Sequence, residues 1–228
     1  MLNTLNKKIL VAFFSKYGYI KEITEFISTQ FKENGLQVDL LDLRKPKRNK
    51  WPSLNDYKGV IIGSSKTLYR FWHRTVKKFV KDNIYFLINH YKIVGFFLSD
   101  PNEALILLDP IECDNKFKER IIKNFKFLPD FYLDFGPVLD FSKRSKLNYD
   151  ERRDLRQNIK LLLGRTSIKI DYNGFNDFRD WDKVRNFTLN FLNILIEGKK
   201  CNACGKVIAF SAVFCTNCGI KLEIKKLI

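Results

Sequence analysis

Histidine is scarce in this 228-residue chain, which has two. His73 and His90 stand apart with no second histidine at ligand spacing, so neither is read as a metal ligand or catalytic base, and both are assigned packed or surface roles. No Ser-His-Asp set or paired-carboxylate cluster stands out, so no protein nucleophile or acid–base pair can be named. Long apolar runs are also missing. None approaches the roughly 20 residues of a membrane-spanning helix, and the N-terminal run is short and lacks a small-residue cleavage site, which argues against a secretory signal. Internal repeats and low-complexity segments are absent. Acidic residues are in deficit, 25 against 41 Lys and Arg, a formal charge of +16. That excess favours contact with nucleic acid, an anionic membrane surface or an acidic partner. The plainer reading is a compositional habit, since Lys, Asn, Ile and Phe are abundant throughout. A cytoplasmic location is expected.

What the chain does have is alternation. The apolar run Ile9-Leu10-Val11-Ala12-Phe13-Phe14 reads as a buried parallel strand, followed by the turn Ser15-Lys16-Tyr17-Gly18 and a helix whose stripe is Ile20, Ile23, Ile27 and Phe31. Gly35 ends that helix, and Val38 to Leu43 begin the next strand. Val60 to Gly63 and Ile93 to Leu98 repeat the strand pattern. They are followed by stripes at Trp72, Val76, Phe79 and Val80 and at Phe117, Ile121, Ile122 and Phe125. Phe131 to Phe135 is a further strand candidate. Leu155, Ile159, Leu162 and Leu163 mark a basic amphipathic helix ending near Gly164, read as an insertion packed on the sheet. The last helix has Asp180 as N-cap, the stripe Val184, Phe187, Phe191, Leu192 and Leu195, and Gly198 as its stop. Strands alternating with helices predict an α/β doubly wound parallel sheet covered on both faces.

Three strand ends carry small or hydroxyl residues: Ser15 to Gly18, Ser64 to Thr67, and Ser99 with Asp100. In an open parallel sheet, ligands bind beyond the carboxyl ends of the strands. These loops are therefore expected to meet around one crevice, with helix N-terminal amides able to hold a phosphate.

The stretch Lys8-Ile9-Leu10-Val11-Ala12-Phe13-Phe14-Ser15-Lys16-Tyr17-Gly18 resembles the opening of the flavodoxin family, whose first loop wraps the phosphate of flavin mononucleotide, FMN. Within that family, Gly136-Pro137-Val138-Leu139-Asp140-Phe141 and Phe178-Arg179-Asp180-Trp181-Asp182-Lys183-Val184-Arg185-Asn186-Phe187 resemble the flavodoxin-type protoporphyrinogen oxidase branch. The resemblance spans residues 7 to 196. It implies a flavodoxin-like fold, with Ser15, Tyr17 and Gly18 at phosphate-loop positions and Ser64 and Ser65 at the start of the second flavin loop; Lys16, Tyr19, Ile20, Lys66, Thr67, Tyr69, Ser99 and Asp100, in or beside the three strand ends, complete the expected cofactor contacts. It also implies hydride chemistry carried by the flavin, with a redox partner or a porphyrinogen as substrate. Two positions depart from the family. Ile20 stands where Thr is usual, which removes a hydrogen bond worth roughly 1.5 to 3 kcal/mol to a charged partner. Lys66-Thr67-Leu68-Tyr69 lacks the usual glycine of the second loop. Tyr69 or Trp72 would cover the ring, although packing is their commoner role. In the branch, electrons pass to a quinone, so the basic helix has a second reading as a peripheral membrane contact.

Cys201-x-x-Cys204 and Cys215-x-x-Cys218 form a spaced thiolate quartet, the pattern of a structural Zn2+ ribbon. Gly205 and Gly219 supply positive φ, and Phe210 and Phe214 are candidates to cover the site. Disulfides are disfavoured in a reducing compartment, and a rubredoxin-like iron centre is the sharper alternative. Lys199, Lys200, Lys206, Lys221, Lys225 and Lys226 surround the quartet. They are compatible with docking of protein or nucleic acid, or with simple compensation of thiolate charge. Cys113 is read as an ordinary thiol.

The sequence thus predicts a flavodoxin-like domain over residues 1–197, a zinc ribbon over 199–222 and a tail to 228. The expected function is FMN-dependent oxidation or electron transfer, with the ribbon for docking. The competing expectation is a cofactor-free flavodoxin fold that serves as a scaffold, with nucleic acid as a lesser partner.

Overall fold

The computed structural model describes residues 8–45, 47–65, 72–88, 92–99, 110–163, 168–209 and 212–222, the side chains of 110–114, 162 and 163 excepted. Five strands, β1 (Lys8–Phe14), β2 (Gln37–Asp42), β3 (Gly59–Ser65), β4 (Ile93–Ser99) and β5 (Phe131–Asp134), pair in parallel in the order β2-β1-β3-β4-β5. Buried on both faces, β1, β3 and β4 are almost continuously apolar, as a doubly covered parallel sheet demands.

Alternate residues of each strand feed two cores. Leu10, Ala12, Val60, Ile62, Val94 and Phe96 meet Val76, Phe79 and Val80 of α2 (Arg74–Asp82) and Phe117, Ile121 and Phe125 of α4 (Pro110–Phe125). A one-turn helix, α3 (Ile84–Leu87), closes this side. Ile9, Val11, Phe13, Ile61 and Phe97 meet Ile20, Ile23, Ile27 and Phe31 of α1 (Tyr19–Glu33), and Val184, Phe187, Phe191 and Leu192 of α6 (Trp181–Glu197). Asp180 caps α6, its side chain accepting from the Lys183 amide at 2.9 Å.

Trp72 takes the packing role, its commoner expectation. It precedes α2 instead of lying on its stripe, and it is fully buried against Phe96, Phe117 and Phe125. It belongs to the core and is no cover for a ring at the sheet edge.

A second, antiparallel sheet, not expected from residue pattern, pairs two three-residue strands, β6 (Val138–Asp140) and β7 (Phe175–Asp177). The basic helix α5 (Tyr149–Leu163) packs on this hairpin. Ile159 joins Leu139 and Phe141 in a small core flanked by Leu155, Ile168, Ile170, Tyr172 and Phe178, apart from the main-sheet clusters. In α5, Leu161 is 81% exposed. The predicted end at Gly164 lies outside the described residues.

Phenylalanine rings lie over glycines of the sheet. A Cβ on Gly63 would come 2.1 Å from the Phe97 ring, and one on Gly59 2.8 Å from Phe191. Glycine at these sites is a packing requirement. Gly63→Ala is expected to destabilise the chain by about 1 to 3 kcal/mol through overpacking. An unchanged urea-unfolding midpoint would contradict this account.

Candidate functional site

The ends of β1, β3 and β4 lie side by side, with Phe14 opposite Ser64 and Ser65 opposite Ser99. Beyond β1 the chain turns through Ser15 to Gly18 into α1, with Gly18 in the left-handed region at φ 107° as N-cap. Ser15 is buried, and its Oγ accepts from the amides of Gly18 and Lys21, each at 3.2 Å. The hydroxyl proton is left to donate, because a serine oxygen carries two acceptor lone pairs and one donor. First-turn amides have no intrahelical acceptor. Those of Tyr19 and Ile20 make no hydrogen bond among the described residues.

The Ile20 side chain is 2% exposed and packs in the core, so its contribution to the turn is its amide. Lys16 is exposed, while Tyr17, Gly18 and Tyr19 are half-buried. Ser64 and Ser99 are buried, and their hydroxyls donate within the protein, Ser64 to the Ser65 carbonyl at 3.2 Å and Ser99 to the Gly136 carbonyl at 2.9 Å. These side chains brace the sheet edge. Lys66, Thr67, Tyr69 and Asp100 lie outside the described residues.

Sequence reasoning missed what lies against this turn. Tyr19 donates its phenol to Asp140 at 2.8 Å, and Lys16 pairs with Glu151. Arg179, its side chain 5% exposed, donates to the Tyr19 carbonyl at 3.3 Å and pairs with Glu22 and Asp177. The segment between β6 and α5 is thus pinned to the turn at both ends. Asp140 lies in a motif that the sequence marked only as a family signature, and nothing in local pattern ties it to Tyr19. Burial would raise the Asp140 pKa, but hydrogen bonds from Ser142 and Tyr19 and the charge of Arg152 hold it below the usual range. The Tyr19 phenol is shifted upward by burial and by Asp140.

At the other end of the chain, the sulfurs of Cys201, Cys204, Cys215 and Cys218 lie within 4.8 Å of one another. Cys201 to Cys218 is 3.8 Å and Cys204 to Cys215 is 3.6 Å. A tetrahedral ion with Zn–S bonds of about 2.3 Å needs sulfurs about 3.8 Å apart, so the quartet has the size for zinc. Both knuckles are built alike, with the Gly205 amide bonded to the Cys201 carbonyl, that of Gly219 to Cys215, and both glycines at positive φ. The Lys206 amide and the Asn217 side chain lower the Cys204 thiol pKa. Ile208 is buried with Cys201 and Cys215, whereas Phe214 is 56% exposed and gives no cover. Phe210, Lys225 and Lys226 are outside the described residues. The strands β8 (Lys199–Lys200) and β9 (Val207–Ile208) pair antiparallel beneath the first knuckle.

A strand order of 2-1-3-4-5 is the doubly wound arrangement whose switch point lies between β1 and β3. The family model for a flavodoxin domain matches residues 10–105, and that for a zinc-ribbon domain matches residues 197–222. The chain carries a flavodoxin-like domain followed by a zinc ribbon. Protoporphyrinogen IX dehydrogenase [quinone] of Escherichia coli K12 is 22% identical over 183 residues, covering 79% of this chain and 92% of that one. Oxidised flavodoxin 2 of Bacillus cereus aligns over 70% of this chain and 99% of its own, at 16% identity and a TM-score of 0.41. Flavodoxin 1 of the same organism gives 16% identity, 71% and 100% coverage, and 0.40. Among the described residues, no helix of the flavodoxin-like domain or ribbon is long and apolar enough to cross a membrane.

In the flavodoxin-like domain, the donor set of the first turn fits a phosphate: the Ser15 hydroxyl proton and two first-turn amides at a helix N-terminus. Tyr19→Phe is expected to cost about 1 to 2 kcal/mol, a hydrogen bond to a charged partner. The Asp140 pKa is lower folded than unfolded, so its contribution is complete above the unfolded value of about 4 and is lost as pH falls through the folded value. Urea unfolding of wild type and Tyr19→Phe should therefore differ at pH 7 and converge in acid. In the ribbon, elemental analysis should find about one zinc per chain and almost none in Cys215→Ser. The far-ultraviolet spectrum of that variant should keep the helical signal of the flavodoxin-like domain, because the ribbon has its own small core.

Proposed function

We propose that this chain is an FMN-dependent oxidoreductase or electron-transfer flavoprotein whose ribbon holds one structural Zn2+. The observation that carries the reading is the turn after β1, at the switch point of a 2-1-3-4-5 sheet, whose free first-turn amides and Ser15 hydroxyl proton suit a phosphate. Ser15, Lys16, Tyr17, Gly18, Tyr19 and the Ile20 amide form the phosphate side. Ser64, Ser65, Lys66, Thr67, Tyr69, Ser99 and Asp100, which in sequence lie at or after the ends of the next two strands, are assigned to the rest of the flavin. Bound FMN supplies hydride or electron exchange. The protein orients the flavin, screens it from water and sets the field around it.

The similarity to the Escherichia coli dehydrogenase supports a porphyrinogen as substrate class or a redox partner as electron source. We take the domains as residues 1–197 and 199–222, with the ribbon as a docking module, and a reducing cytoplasmic compartment as the setting for its thiolates.

A second reading, a cofactor-free scaffold, is favoured by one observation: the buried hydroxyls of Ser64 and Ser99 already donate within the protein. The visible spectrum after reconstitution with FMN and desalting separates the two. Retained absorption near 450 nm, about one flavin per chain, is expected for the flavoprotein. A colourless protein after repeated reconstitution leaves the scaffold.

A further inference from the structure

Resting on the flavin reading, we infer that Lys146 is a phosphate ligand of this site and makes it selective for phosphorylated flavin. A Cβ built on Gly18 would lie 3.2 Å from Lys146 Nζ, so the ammonium sits directly over the first turn. It reaches there from the segment joining β6 to α5, whose ends are anchored to the same turn by Asp140 with Tyr19 and by Glu151 with Lys16. Between these anchors the segment is stitched to itself. The Ser142 amide donates to Asp140, the Leu147 amide to Ser145, and the amides of Asn148 and Glu151 to each other's side chains.

Three cations around the turn have acidic partners: Lys16 has Glu151, Arg44 has Asp42, and Arg179 has Asp177 and Glu22. Lys146 has none among the described residues. An unpaired ammonium beside the N-cap glycine of a helix adds positive charge to amides that already favour an anion.

The test is equilibrium titration of the full-length, flavin-stripped chain with FMN and with riboflavin, which lacks the phosphate, read by flavin fluorescence. Lys146 is exposed, so its replacement leaves the core intact. Lys146→Ala should weaken FMN binding by about tenfold, the loss of one charge-assisted contact. Riboflavin binding should stay within about twofold, and Lys146→Arg should stay near wild type for FMN. The FMN affinity of wild type should also fall more steeply with salt than that of Lys146→Ala. Unchanged or tighter FMN binding in Lys146→Ala, or an equal loss for both flavins, overturns the inference while the flavin reading stands. Wild-type protein that takes up neither flavin overturns both.

Discussion

β1 is hydrogen-bonded on both sides and covered on both faces. A strand in that position can offer chemistry only where it stops. Its last residue, Phe14, lies beside Ser64, and the chain must leave the sheet at once to begin α1 on one face. The turn is therefore short, and its amides face outward because the helix they start has no earlier residues to accept from them. Ser15 holds the turn in shape from below. The candidate site is a by-product of the way a doubly covered strand has to end.

Much of this was legible in the sequence. Apolar runs of strand length and stripes at helical spacing placed the central sheet, α1 and α6, because burial on two faces or one leaves a direct imprint on residue order. The thiolate quartet was legible for a stronger reason, since its spacing itself sets the sulfur geometry. The β6 and β7 hairpin was not legible. Three-residue strands with half-exposed residues carry no period to read. Trp72 continues the stripe of α2 in sequence and shares its core, although the helix itself begins only at Arg74. The serines are assigned to a ligand by type, and residue type alone does not reveal that the hydroxyls of Ser64 and Ser99 also donate to the protein's own carbonyls. Tyr19 with Asp140, and Lys16 with Glu151, are contacts across more than a hundred residues of chain, and one sequence holds no trace of them.

The surplus of positive charge also looks different in three dimensions. On α5, the Arg156 guanidinium lies over the Phe141 ring and the Lys160 ammonium over Tyr172, so these charged groups cover aromatic faces beside the hairpin. Arg179 is nearly buried between two carboxylates and the Trp181 ring. Part of the basic excess is thus used as packing material and as internal counter-charge. A formal count of lysines and arginines does not distinguish that use from a surface meant for a polyanion.

The direction of α6 has a consequence for how the molecule could work in company. Its first residue follows Asp180, whose amide is bonded to Phe135 at the carboxyl edge of the sheet, and it ends at Gly198, tight against the Ile208 carbonyl of the ribbon. Lys199 next to it feels the charge of Asp130, at the amino edge where β4 begins. The ribbon and the first turn therefore occupy opposite poles, separated by the roughly 20 Å length of a seven-residue strand. A molecule gripping the ribbon would leave the far pole uncovered, so the two ends do not compete for the same ground.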